Sequence, residues 1–381
     1  SAGKITLDTF ETFHNTEKKQ QDRALMLNGQ WPGDKGCYYC KKIEQAGGSS
    51  DRIRHLNIPN QSPTALESDP TLTAVQPTIL EIFFNNQCNL ACVYCDPNVS
   101  SQINSEYKKH GKFEKNGVVL QSQSIDTDYS AMLEKFWSWM KQYSSGLVRF
   151  TIAGGESFYQ PELETCLGYF ESTSHPNLEL CIITNLTLPP EKLEKFIQRF
   201  KNLVKTRKLK RMDLTCSIDC VGAEQEYTRH GMNVNKWIVN FERLLQERWL
   251  TLNINQTISV LTIKTMPELI EKLKIWQLSH KIGHHFSVVA PGPSYLIPNI
   301  LGNEIFEKDF QTILDIMPTQ TDEDLRAKTY MQGIVQGYSQ SQPDIEQMLQ
   351  LKTFLIENDR RRGTSWTTTF PWLEKELQHV V

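Results

Sequence analysis

Six short apolar runs, with helical patterns between them, constrain the fold more than any other feature of the chain. They are TILEIFF (78–84), LVRFTIA (147–153), LELCIIT (178–184), RMDLTCSI (211–218), LNINQTISVL (252–261) and HHFSVVA (284–290). Helical periodicity marks 128–143, 161–171, 190–205, 235–249 and 266–280. Alternation of this kind predicts βα units and a parallel sheet. Six units are too few for a closed eight-stranded barrel, so 78–290 reads as an α/β domain, an open sheet or a partial (βα)6 TIM-like barrel. Ligands of such a sheet sit at the carboxyl ends of its strands. After Pro291-Gly292-Pro293 the strand pattern stops, and 304–316, 322–338 and 343–357 predict a helical C-terminal extension over 291–381. Residues 1–77 predict a helix over 8–27, then a small module and a polar linker.

The first strand runs straight into FFNNQCNLACVYCDP (83–97), which holds Cys88, Cys92 and Cys95, three of the nine cysteines. Cysteine thiolates hold iron–sulfur clusters, four to a [4Fe–4S] centre. A closed zinc site also takes four ligands. Three thiolates at spacing C-x3-C-x2-C leave one corner of a metal group open, where a substrate or cofactor can bind. The competing readings are three buried structural cysteines, or a zinc site with His110 as a distant fourth ligand.

Composition narrows the function further. With 41 Lys and Arg against 44 Asp and Glu, mixed throughout, the chain shows no basic surface for nucleic acid. No apolar run approaches the roughly 20 residues that span a bilayer. There is no signal-peptide pattern, so a cytoplasmic location is expected. An odd cysteine count at unpaired-looking spacings argues for a reducing compartment rather than a disulfide framework.

The cysteine loop, set behind a first strand, resembles that of the radical S-adenosylmethionine (radical SAM) superfamily. The resemblance implies a [4Fe–4S] cluster on Cys88, Cys92 and Cys95 whose open iron chelates the amino and carboxylate groups of SAM. One electron then cleaves SAM to methionine and a 5′-deoxyadenosyl radical, which abstracts hydrogen from substrate. Later strand ends carry matching landmarks. AGGES (153–157) looks like the family's GGE turn, so Gly154, Gly155 and Glu156 are expected at SAM's amino group. Asn185 stands where the family often has a polar residue near SAM. SIDC (217–220) resembles Ser-x-Asp-Gly, with Ser217 and Asp219 facing SAM. YTRHG (227–231) resembles Arg-x-Gly, with Arg229 expected to fork onto SAM's carboxylate. Tyr94 matches the aromatic whose backbone meets the adenine. Where the family favours Gly after Ser-x-Asp this chain has Cys220, read as a hydrogen-atom donor at the barrel mouth or as a small half-buried residue. Cys166, Cys181 and Cys216 are expected to pack in the core.

The ends carry a weaker likeness. GCYYCKKIEQAGGSSDR (36–52) resembles the accessory half-module of twitch-domain enzymes, related to SPASM-type maturases. Its Cys37 and Cys40 read as a relic or an accessory metal site, with His55 as a candidate zinc ligand. No cysteine precedes Cys37 or follows Cys220, so a second four-cysteine cluster is not expected from this chain. Trp366, Phe370 and Trp372, in the tail, are candidates for a lid over the barrel. The resemblance implies a ribosomally made precursor peptide as substrate, modified by backbone excision, cross-linking or epimerisation. It also implies a flavodoxin- or ferredoxin-type electron donor and a separate small leader-binding partner. The alternatives are a radical SAM enzyme of a small metabolite or nucleotide, favoured by a strongly polar barrel floor, and a non-catalytic iron–sulfur or zinc scaffold.

Overall fold

The computed structural model describes residues 12, 15–33, 37–45, 50, 52–53, 77–115, 118–119, 129–289 and 292–380. The chain forms two compact units. The first comprises Ser1–Leu80 and Asp126–Arg149, the second Glu81–Ile125 and Phe150–Val381.

In the first unit, α1 (Glu17–Leu27) starts at Thr16, whose side chain accepts a hydrogen bond from the Lys19 amide. The start of the expected 8–27 helix lies outside the described residues. Helix α2 (Tyr38–Gln45) follows Cys37, so Cys37 and Cys40 flank its first turn. His55 also lies outside the described residues.

The second unit is built on a six-stranded parallel sheet in sequential order: β1 (Ile79–Phe83), β2 (Arg149–Ala153), β3 (His175–Thr184), β4 (Leu209–Ser217), β5 (Thr251–Ile258) and β6 (Ile282–Val288). Each strand falls on one of the six apolar runs. Further along the chain are α3 (Ser101–His110), α4 (Tyr129–Tyr143, in the first unit), α5 (Pro161–Ser172), α6 (Pro190–Lys205), α7 (Gly222–Thr228), α8 (Val234–Leu244) and α9 (Met266–Gln277). The C-terminal helices are α10 (Glu307–Ile316), α11 (Asp322–Tyr338), α12 (Ile345–Arg362), α13 (Trp366–Thr369) and α14 (Pro371–Leu377).

Strand register sorts the side chains into two chemically different faces. Leu180, Ile182, Met212, Leu214, Cys216, Leu252 and Ile254 share one face and are fully buried. Amphipathic helices supply the apolar residues to match, Phe196 and Phe200 on α6 and Trp237 and Phe241 on α8, the last two stacked 4.9 Å apart. The opposite face is polar. Cys181, Asp213 and Thr251 align on it, then Ile183, Thr215, Asn253 and Gly283, then Ser217, Asn255 and His285. Arg211 lies 2.8 Å from both Glu179 and Asp213 on this face, and Ser287 donates to Asn255 at 3.0 Å.

The C-terminal helices are core. Trp366 and Phe370 are buried in one apolar cluster with Val93, Ile258, Tyr295 and Leu377, and Trp372 packs against it. Phe370 meets Tyr227 edge-on at 5.1 Å, and Trp372 meets Phe306 at 5.4 Å. These aromatics are therefore packing groups rather than a lid. Cys166, Cys181 and Cys216 are buried, as their runs imply.

His284 sits on the apolar face, buried, with Nε2 against Gln256 Oε1 and Nδ1 without a partner. Burial, helped by His285, pushes its pKa from 6.5 down to about 3. The unfolded chain therefore binds this proton at a higher pH than the folded one. The stability that neutral His284 contributes is complete above pH 6.5 and is lost as pH falls toward 3. Urea denaturation across that range is expected to show a shallower acid loss for His284→Gln, by about 1.4 kcal/mol per pH unit.

Candidate metal and cofactor site

The cysteine loop begins where β1 ends, and hydrogen bonds fix it from three directions. The Glu156 amide donates to Gln87 O at 2.8 Å, tying the loop to the turn after β2. That approach needs glycine. Gly155 has φ +51°, and a Cβ there would collide with the Gln87 carbonyl. Gly154, at φ +81°, would place a Cβ 2.7 Å from the Phe83 ring. From a second side, Ser101 Oγ bridges the two backbone groups of Cys88, at 3.0 and 3.1 Å. Ser100 caps α3 and also donates to Leu90 O at 2.8 Å. From the third, Ala91–Cys92 pairs antiparallel with Arg229–His230, placing Cys92 opposite Arg229. The cysteine motif and the Arg-x-Gly motif are thus two strands of one small ladder.

Behind this ladder lies a buried ion pair. Arg229 donates through Nε and Nη2 to the two oxygens of Asp219, both at 2.8 Å. Asp219 also accepts from Tyr94 Oη at 2.6 Å and from the Thr257 amide at 2.8 Å. The pair is 6% and 0% exposed, so the guanidinium fork expected to await a ligand carboxylate has a resident partner. Gln225 orders the rest of the turn, accepting from the Asp219 and Cys220 amides and from Cys220 Sγ. Gln256 donates to Asp219 O at 2.8 Å. Cys220 is fully enclosed here, and burial pushes its thiol well up. Ser217 is buried too, on the polar face of the sheet.

Glu156 is engaged as well. Its carboxylate accepts from Thr184 Oγ1 at 2.7 Å, the Asn185 amide at 2.5 Å and the Phe158 amide at 3.1 Å. Burial pushes its pKa up and these three bonds pull it back. Asn185 bonds Asn89 and reaches the Cys88 sulfur. The structure therefore gathers Cys88, Cys92, Cys95, Tyr94, Gly155, Glu156, Asn185, Asp219 and Arg229 into one connected network. Asn89, Thr187, Gln225 and Gln256 belong to it and were missed from sequence, because uncharged polar residues at strand ends carry no motif.

The thiols are unequal. Burial pushes Cys88 up to about 12. Cys92 and Cys95 share a hydrogen bond, which with Arg229 draws Cys92 down and leaves Cys95 high. Among the described residues no three Cys, His, Asp or Glu side chains converge on a point where one ion could sit. A soft, three-thiolate donor set in a loop pinned at both ends fits a [4Fe–4S] group. Cys37 and Cys40 lie in the other unit, both half-buried, and burial raises Cys37.

Neither a protein-family model nor a curated protein matches the chain. Among solved structures, it overlaps anSMEcpe with bound AdoMet at 17% identity and TM-score 0.41, over 73% of this chain and 66% of that one. Overlap with SuiB of Streptococcus suis is 14% identity and TM-score 0.38, over 93% and 67%. With the FeFe-hydrogenase maturase HydG of Carboxydothermus hydrogenoformans it is 12% and 0.33, over 88% and 72%. The chain spans just under two thirds of the first of these chains. Likeness at this level leaves the site to be tested through its own residues. Asp219→Asn strands a buried guanidinium and is expected to cost about 3–5 kcal/mol in chemical denaturation. Asp219→Asn combined with Arg229→Met is expected to regain much of that loss.

Proposed function

We propose that this chain is a radical SAM enzyme. The observation that carries the reading is the C-x3-C-x2-C loop at the carboxyl end of β1. It is hydrogen-bonded to the GGE turn and paired in register with Arg-x-Gly. Cys88, Cys92 and Cys95 would hold a [4Fe–4S] cluster and leave one iron for SAM. When bound, that group supplies the electron that splits SAM into methionine and a 5′-deoxyadenosyl radical. The chain's own part is to bind, orient and exclude water. Gly154 and Gly155 let the turn after β2 close onto Phe83 and Gln87, and Ser217 offers a polar group on the same face of the sheet. The Tyr94–Asp219–Arg229 network fixes the loop before any ligand arrives. Trapping of a reactive intermediate requires such enclosure.

A ribosomally made precursor peptide is the proposed substrate. The twitch-like string around Cys37 and Cys40 and the likeness of the C-terminal tail support it. The reaction would be excision, cross-linking or epimerisation, served by an electron donor and a leader-binding partner. A second reading has a specific observation behind it. The sheet face opposite the helices carries Asp213, Thr215, Asn253, Asn255, His285 and Ser287, a strongly polar floor that suits a small hydrogen-bonding metabolite.

Two experiments separate these readings. Cys92→Ala, reconstituted anaerobically, is expected to lose SAM cleavage; cleavage at the wild-type rate would overturn the assignment. Co-expression with a peptide encoded beside the protein, in ordinary and heavy water, reads the substrate by mass. Loss of two hydrogens marks cross-linking, a larger loss marks excision, and a one-unit deuterium gain marks epimerisation. An unmodified peptide beside cluster-loaded protein favours the small-molecule reading.

A further inference from the structure

The three cysteines differ in what surrounds their sulfurs. Cys92 and Cys95 are engaged with each other. Cys88 instead faces N–H donors. The Leu90 amide lies 3.5 Å from its Sγ, the Asn89 amide also bonds it, and Asn185 Nδ2 lies 3.9 Å away.

The orientation of the Asn185 amide is fixed by its neighbours rather than chosen between equivalent flips. Its Oδ1 accepts twice from Thr187, from the amide at 3.0 Å and from Oγ1 at 2.6 Å. Its Nδ2 must then point the other way, where Asn89 Oδ1 accepts at 2.9 Å. Asn89 Nδ2 closes the ring by donating to Thr187 Oγ1 at 2.8 Å. One Asn185 Nδ2 hydrogen goes to Asn89, and the other is directed at Cys88, 3.9 Å away. The backbone adds a constraint. Leu186 takes φ +54°, a conformation L residues rarely adopt, directly after Asn185. Glu156 holds the Asn185 amide, and Asn240 Nδ2 holds Leu186 O and Leu188 O at 3.0 and 2.9 Å.

We infer that Asn185 is a positioning and tuning residue, an N–H···S donor that raises the reduction potential of the iron–sulfur group held by Cys88. The inference rests on the functional reading above. Reduction adds negative charge, part of which resides on the ligand sulfurs, and hydrogen bonds to those sulfurs favour the reduced form. Asn185 thereby acts on the cluster through a cysteine, a role distinct from the SAM contact expected at this position from sequence.

The test is a reduction potential, which a merely structural residue would not shift in a patterned way. Wild type, Asn185→Leu, Asn185→Asp and Thr187→Val are reconstituted, assayed for iron and sulfide, and titrated by EPR at controlled potential without SAM. Asn185→Leu removes the donor and is expected to lower the reduced-to-oxidised ratio about tenfold at fixed potential. For a one-electron couple that is about 59 mV. Asn185→Asp keeps the shape and the acceptor for Thr187 while adding charge, and is expected to fall further. Thr187→Val loosens the clamp and is expected to fall between Leu and wild type. Equal potentials across loaded variants would overturn the inference and leave the functional reading intact. A wild-type chain that assembles no iron and sulfide would overturn that reading and the inference with it.

Discussion

The buried carboxylate of Asp219 is the point on which the site depends. It accepts from Arg229, Tyr94 and the Thr257 amide, joining the cysteine loop, the Arg-x-Gly ladder and β5. A buried charge is tolerated only when paired and fully hydrogen-bonded, and here the three donor residues come from different parts of the fold. Tyr94 lies between Cys92 and Cys95, so its hydroxyl bond sets the geometry of the loop from behind. The ion pair also keeps the guanidinium from seeking other acceptors in a region crowded with sulfur and carboxylate.

A second arrangement works on the opposite side of the loop. Glu156 spends its carboxylate on Thr184, Asn185 and Phe158, so the GGE turn and the end of β3 move as one body. Asn185 then hands that rigidity on to Asn89 and Cys88. Carboxylates that look in sequence like ligand contacts are here employed within the protein.

Much of this was legible beforehand, and the reasons are physical. Strand runs announce themselves because the sheet face under helices demands an apolar residue at every second position. The cysteines announce themselves because three thiols at fixed short spacing have few uses. Partnering does not announce itself. That Arg229 pairs with Asp219, ten positions away, follows from a ladder between residues 91–92 and 229–230 that no local pattern encodes. Gln225 and Gln256 bond backbone groups at a strand end, a role that any uncharged polar residue could suggest. Trp366 and Phe370 are candidates for a lid in sequence, and core only once Tyr227 meets Phe370 and Val93 joins their cluster.

Val93 shares its apolar cluster with Leu373, Leu377 and Val380. The residue wedged between a cysteine and its supporting tyrosine therefore shares a core with α14, far along the chain. During synthesis the loop emerges well before α14, which completes its core. Until α14 leaves the ribosome, the thiols stand on a half-built wall, open to oxidants and to stray metals alike.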